Sequence, residues 1–189
     1  MRKICLLAFS FLIFLSSTSL VLDLSSFNFF SAKALAITEE ATSSSSRLVN
    51  YELPYPGLLP DSPLYFLRII RDRIVGFLIS DSLKKSEFNL LQADKRLNAG
   101  IYLFNKGKTS LAFSTISKAE NYFSQALDKI GEAKKQGKNT SETEGKLKNA
   151  LRKHEQELEF LTKKVNSDYK ASFEKELERV TGFEERLSQ

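Results

Sequence analysis

In 189 residues the chain has one histidine and one cysteine, and these two side chains bound most of the chemistry open to it. His154 is followed by Glu155, Glu157 and Glu159. That pattern forms neither H-x-x-x-H nor H-x-x-E-H, so the second imidazole of a helical zinc site is missing. Serines are plentiful, but no G-x-S-x-G turn presents one, and a nucleophilic triad would have to be assembled through His154 alone. His154 itself falls between Leu151 and Leu158 on an apolar helical stripe, a place where a polar residue fixes the register of packed helices. A general base or ligand role would need partners that the local sequence does not supply. We therefore assign no catalytic residue, no cofactor-binding residue and no metal ligand, and we expect a chain that is not an enzyme and uses no cofactor.

The elements that would carry these residues are helical. All four prolines fall at Pro54, Pro56, Pro60 and Pro63, which makes that stretch extended or turning and leaves the rest free for long helices. Asp61-Ser62-Pro63 reads as a helix start, with Asp61 or Ser62 as cap, for a helix from about Pro63 to Ile79. Asp81-Ser82 starts a second, which runs to about Lys106 with Gly107 as its stop; its Leu83, Leu90, Leu97 and Phe104 recur every seven residues. The third, about Lys108 to Gln136, has Ala112, Ile116, Ala119, Phe123, Ala126, Ile130 and Ala133 in alternating steps of four and three, a seam for shallow-angle packing. After a turn over Gly137 to Thr140, with Thr140 or Ser141 as cap, Leu147, Leu151, His154, Leu158, Leu161 and Val165 continue the alternation. The register slips around Asn166-Ser167-Asp168, and a break there with a last helix from about Asp168 to Leu187, capped by Asp168, fits it. No alternating stretch is long enough for a strand. The expected fold class is all-α, an antiparallel helical bundle of four to five helices with a long helical hairpin, preceded by a Pro-rich extended segment.

Three further patterns have ordinary explanations. Gly100, Leu103, Gly107, Ala112, Ile116 and Ala119 approximate one tetratricopeptide unit, but arrays need about three. Asn139-Thr140-Ser141 fits a glycosylation sequon by chance. Arg152, Lys153, Lys163 and Lys164 among many glutamates read as solvated faces.

The helix over 63–79 stands apart. Leu64, Tyr65, Phe66, Leu67, Ile69, Ile70, Ile74, Val75, Phe77, Leu78 and Ile79 leave only a narrow, mostly basic stripe of Arg68, Arg71, Asp72 and Arg73. The expectation is that its wide apolar face is buried against the following helices, each fully buried side chain contributing on the order of 1.5–3 kcal/mol. The alternative is a helix lying in a membrane surface.

The stretch Tyr55 to Gly100 resembles an uncharacterised bacterial domain family of exported, helix-rich proteins with a P-x-S-P-L-Y-x-L-K/R signature. The matching residues are Pro56, Gly57, Pro60, Ser62, Pro63, Leu64, Tyr65, Leu67 and Arg68, then Asp81, Lys84, Leu91, Ala93, Arg96 and Leu97, over roughly Leu53 to Ala126. Ser82 departs from the proline found there in the pattern, which either residue satisfies as a helix start. The resemblance implies a helical fold and export, and no activity.

Export is also written in the N-terminus. Arg2 and Lys3 precede an apolar run from Ile4 to Leu22, and Ala34-Leu35-Ala36 gives an A-x-A cleavage pattern. Asp23 and the Ser/Thr cluster at 16–19 interrupt the run, whereas a permanent span wants about 20 largely uninterrupted apolar residues. A signal peptide cleaved after Ala36 is expected, an uncleaved anchor being the alternative. Cleavage removes Cys5, so disulfides and thiol chemistry go with it. It also removes Arg2, Lys3, Lys33 and Asp23, which lowers the formal net charge from +5 to +3. A nucleic-acid partner calls for a larger basic excess on one face and is not expected.

The expected organisation is a signal peptide over 1–36, a Ser-rich flexible linker over 37–52, a Pro-rich segment plus helical hairpin over 53–137, and a long C-terminal helical region over 138–189 packing on the same bundle. The function this implies is an exported, non-catalytic helical module with a structural or protein-interaction role in the cell envelope or outside the cell. Its expected partner or self-association surface is the pair of C-terminal helices. The alternative is a peripheral membrane-surface protein held by the apolar helix 63–79.

Overall fold

A computed structural model describes residues 50–188, so the signal peptide expected over 1–36 and nearly all of the linker over 37–52 lie outside the described residues. Helix is the only regular structure among the described residues. Its elements are α1 (Tyr65–Leu78), α2 (Ser82–Asn105), α3 (Thr109–Lys135), α4 (Ser141–Lys164), α5 (Ser167–Thr181) and α6 (Phe183–Ser188). They form a helical bundle.

Local chemistry explains most of the boundaries. The Asp81 carboxylate accepts a hydrogen bond from the Lys84 backbone N–H at 2.9 Å and caps α2. Gly107 and Gly137, with φ of 75° and 72°, take the left-handed conformation that closes α2 and α3. At two helix starts the side-chain bond of a cap is not made. Asp61 does not cap α1, because its carboxylate holds Lys106 at 3.3 Å and Lys108 at 2.9 Å at the end of the hairpin; Leu64 occupies the cap position with no side-chain bond. At α4, Thr140 holds the cap position as expected, but its hydroxyl donates to Glu144 and makes no cap bond, while Asn139 Oδ1 accepts from the Ser141 N–H at 3.2 Å.

The slip around 166–168 is a true break. Val165 and Asn166 are extended, with ψ of 149° and 165°, between α4 and α5. Asn166 holds the cap position and Asp168 lies inside the first turn of α5, contrary to the expected Asp168 cap. The expected single helix to Leu187 is also divided, ending at Thr181 and resuming at Phe183.

The core follows the seams. Leu90, Ala93, Leu97 and Leu103 of α2 meet Ala112, Ile116, Ala119, Phe123, Ala126 and Ile130 of α3, with Leu147, Leu151, Leu158 and Leu161 of α4 and Phe173 and Val180 of α5 in the same core region. Phe123 stacks on Phe183 at 5.6 Å between ring centroids, which ties α6 to the core. Small residues let α2 and α3 approach closely. A Cβ on Gly100 would lie 2.3 Å from Ile116 Cγ1.

The chain from Tyr51 to Pro60 is not helical and lies on this core. Asn98 Nδ2 donates to the Pro54 carbonyl at 3.0 Å, and Arg68 donates to the Pro56 carbonyl and, at 2.8 Å, to that of Leu58. A proline-rich stretch has few backbone partners of its own, so its carbonyls must be satisfied by side chains or water.

The packing at Gly100 gives a test. Gly100→Ala should destabilise the fold by about 1–3 kcal/mol through overpacking against Ile116, despite the better helix propensity of alanine. In an Ile116→Ala background the same change should cost far less. A double-mutant cycle by urea denaturation measures the coupling.

Candidate functional site

Three helices each contribute one ionisable side chain to a point inside the bundle. His154 of α4 is fully buried, at 0% exposure. Its Nδ1 lies 2.9 Å from Glu120 Oε1 of α3 and 3.1 Å from Oε2, and its Nε2 lies 3.0 Å from Asp94 Oδ1 of α2. The Tyr51 hydroxyl donates to Asp94 Oδ2 at 2.6 Å, and the Phe123 ring lies 5.0 Å from the imidazole. Burial by itself would push the His154 pKa down, but Glu120 and Asp94 outweigh it through charge and hydrogen bonding and raise it to about 10. The ring is therefore an imidazolium at neutral pH, donating from both nitrogens in charge-assisted bonds. For Tyr51, burial and then the Asp94 charge raise the pKa above the ordinary tyrosine value, so the phenol keeps its proton.

This geometry is poorly suited to chemistry on a substrate. Both ring nitrogens are engaged, and the imidazole has no surface. A shallow depression of about 300 Å³ lined by Tyr51, Glu87, Leu91, Asp94 and Lys146 reaches the rim of the cluster without reaching the ring. The two carboxylates bind opposite nitrogens of one ring and do not converge on a common point. Among the described residues no group of three His, Cys, Asp or Glu side chains is arranged to hold a metal ion.

The second polar cluster sits beneath α1 and reverses the expected orientation of that helix. Arg68 and Asp72 are buried, while Phe66, Leu67, Ile70, Ile74, Val75, Phe77 and Leu78 are exposed, Phe77 at 86%. The expected burial of the wide apolar face is thus corrected. The cause is the company that the charged stripe keeps. Arg68 satisfies the two carbonyls of the Pro-rich segment, and Asp72 gathers arginines: Arg71 Nη2 at 2.7 Å on Oδ1, and Arg68 Nε at 3.6 Å and Arg96 Nη2 at 3.7 Å from Oδ2. Asp72 Oδ2 is buried with no hydrogen bond. The Arg96 guanidinium lies over the Tyr122 ring, 4.1 Å from its centroid, which fixes the α2 and α3 side of this knot. Gly76 lets Phe88 of α2 come close, a Cβ there meeting its ring at 3.2 Å.

A family model described as Domain of unknown function (DUF5667) matches residues 57–188. The chain belongs to this family. The match reaches well past the Leu53 to Ala126 stretch that carries the resemblance, and takes in every helix from α1 to α6. Neither the comparison with curated proteins nor that with solved structures gives a match. The family description assigns no activity.

His154 lies on the apolar seam where its spacing puts it, but its partners are invisible in the local sequence. Asp94 follows Leu90 by four and Glu120 follows Ile116 by four, so each acid sits one helical turn from a seam residue. An acid at that offset on two helices, facing the only histidine on a third, was the available signal. Nothing local marked Tyr51, which comes from the end of the Ser-rich segment.

The cluster should dominate the alkaline stability of the fold. A histidine whose folded pKa is about 10 against an ordinary 6.5 stabilises fully below pH 6.5, and that contribution is lost as pH rises through about 10. Thermal unfolding followed from pH 6.5 to 10 should show a steady loss of stability in the native chain. His154→Gln should flatten that slope, and at pH 6.5 should cost about 3–5 kcal/mol by leaving buried carboxylates without their cation.

Proposed function

We propose that the chain is an exported, non-catalytic helical module with a structural or interaction role in the cell envelope or outside the cell, and that the outward face of α1 is its contact surface. The observation that supports this most directly is the orientation of α1. A helix whose apolar side chains point outward while its arginine and aspartate point inward has its large unpartnered patch at the surface, the signature of a contact face. The C-terminal helices, where a partner was expected, have less to offer: Leu147, Leu151, Leu158 and Leu161 are used in the chain's own core. The only histidine is held as a sealed imidazolium between two acids, which fits a register-fixing role better than an acid–base one. Export is supported by the charged start, the apolar run and the A-x-A pattern of the N-terminus. The second reading, a peripheral membrane-surface protein held by helix 63–79, gains from the same outward face and specifies what the face meets.

Fractionation of cells producing the native chain tests the proposal. The protein should be recovered outside the cytoplasm with Ile37 as its first residue, bound to particulate material. Ile70→Asp together with Phe77→Asp should release it into the soluble fraction with an unchanged melting temperature, since both side chains are already exposed. Cytoplasmic recovery of the whole chain would overturn export. Particulate recovery unaffected by the two substitutions would overturn the role of α1.

A further inference from the structure

Beside the outward face of α1 lies a small cationic pocket. It has a volume of about 220 Å³ and is lined by Tyr55, Leu58, Arg68, Arg71 and Lys95 together with the backbone turn at Pro56 and Gly57. Arg68, Arg71 and Arg96 share one carboxylate, Asp72, so the neighbourhood keeps an excess of positive charge before Lys95 is added. Tyr55 and Leu58 are exposed at its mouth.

The outward face has a matching pattern. At 100° per residue, Phe66, Phe77, Ile70, Ile74, Leu67 and Leu78 fill an arc of about 120°, with Arg73 just outside one edge and Arg71 just outside the other. Both arginines are exposed, and the one acid of the helix, Asp72, is buried. The arc therefore presents an apolar strip fenced by cations, with no exposed carboxylate on the helix. A 14-residue helix is about 21 Å long, too short to cross a hydrocarbon core of about 30 Å, and among the described residues no helix is long and apolar enough to cross a membrane. The shape suits lying along an interface.

We propose that α1 and this pocket form one docking site for an anionic lipid surface: the arc of Phe66, Ile70, Ile74 and Phe77 enters the acyl boundary, and Arg71 and Lys95 receive a headgroup phosphate at its edge. This rests on the reading of α1 as the contact face and names what it contacts. The charge complementarity decides for lipid over a second copy of the chain, since two copies meeting face to face would bring their flanking arginines together.

The test uses the full chain with Cys5→Ser, so that a single fluorophore can be placed at Ile74→Cys, with a second protein labelled at Glu159→Cys on the surface of α4. Vesicles of phosphatidylcholine with phosphatidylglycerol, with and without nitroxide-bearing acyl chains, are added. The probe at position 74 should shift to the blue and be quenched by the nitroxide, and the probe at 159 should stay unquenched. Because the readout is local to α1, attachment through the N-terminal apolar run does not imitate it. Arg71→Glu with Lys95→Glu should weaken the response at position 74 at least tenfold, as should replacing phosphatidylglycerol by phosphatidylcholine; circular dichroism verifies that the variant is folded. A probe at 74 that stays in water while the protein is mixed with anionic vesicles overturns the proposal. If particulate recovery from cells still depends on Ile70 and Phe77 in that case, the face meets a protein, and only the lipid assignment falls. Full quenching in the charge-reversed variant would overturn the part played by Arg71 and Lys95.

Discussion

A protonated imidazole held between two carboxylates is the interaction on which the rest of this bundle depends. Asp94, Glu120 and His154 come from the three longest helices, and the pair of bonds to one ring defines how α2, α3 and α4 stand relative to each other. Apolar seams alone tolerate slips of a turn, because one leucine replaces another at little cost. A buried cation with two specific acceptors does not, since a slip would strand charge in the core. The Phe123 ring closes the cluster on one side and stacks on Phe183 at the other, so the polar knot and the aromatic packing of the last helix share a residue.

The same economy of charge explains the odd placement of α1. An amphipathic helix ordinarily lays its apolar face on the core. Here the segment before α1 is rich in proline and exposes carbonyls that no strand or helix satisfies, and Arg68 is drawn inward to serve them. Asp72 follows one turn later because it neutralises Arg68 and meets Arg96 from α2. Once these two are committed, the rotation of the helix is settled and the apolar arc has only the outside left to face. Polar satisfaction outweighs hydrophobic burial at this one element, and the exposed phenylalanines are the result.

This was also where the sequence was least legible. The seams of α2, α3 and α4 could be read because each burial position recurs at a helical period, and the stops at Gly107 and Gly137 because only glycine relaxes readily into their φ. The break at 165–166 showed as a slip in apolar spacing. The direction of α1 is not legible in the same way, because hydrophobic pattern says which residues share a face but not which face turns inward, and the deciding partners, Pro56 and Leu58 for Arg68 and Arg96 for Asp72, lie up to 24 positions away in sequence. The partners of His154 were hidden for a related reason, lying 34 and 60 positions away on separate helices. The caps at Asp61 and Asp168 failed where a tertiary or neighbouring partner claimed the side chain or the helix began a residue earlier.

The non-helical run from Tyr51 to Leu58 is bonded to the bundle at Asp94, at Asn98 and at Arg68, in that order along the chain. A pull arriving from the N-terminal side therefore meets the contacts to α2 first, at the Tyr51 hydroxyl and then the Pro54 carbonyl, and the two carbonyls held by Arg68 of α1 last. The bonds to Asp94 and Asn98 thus stand between such a pull and α1, and the first of them is made to a carboxylate of the buried charged cluster itself.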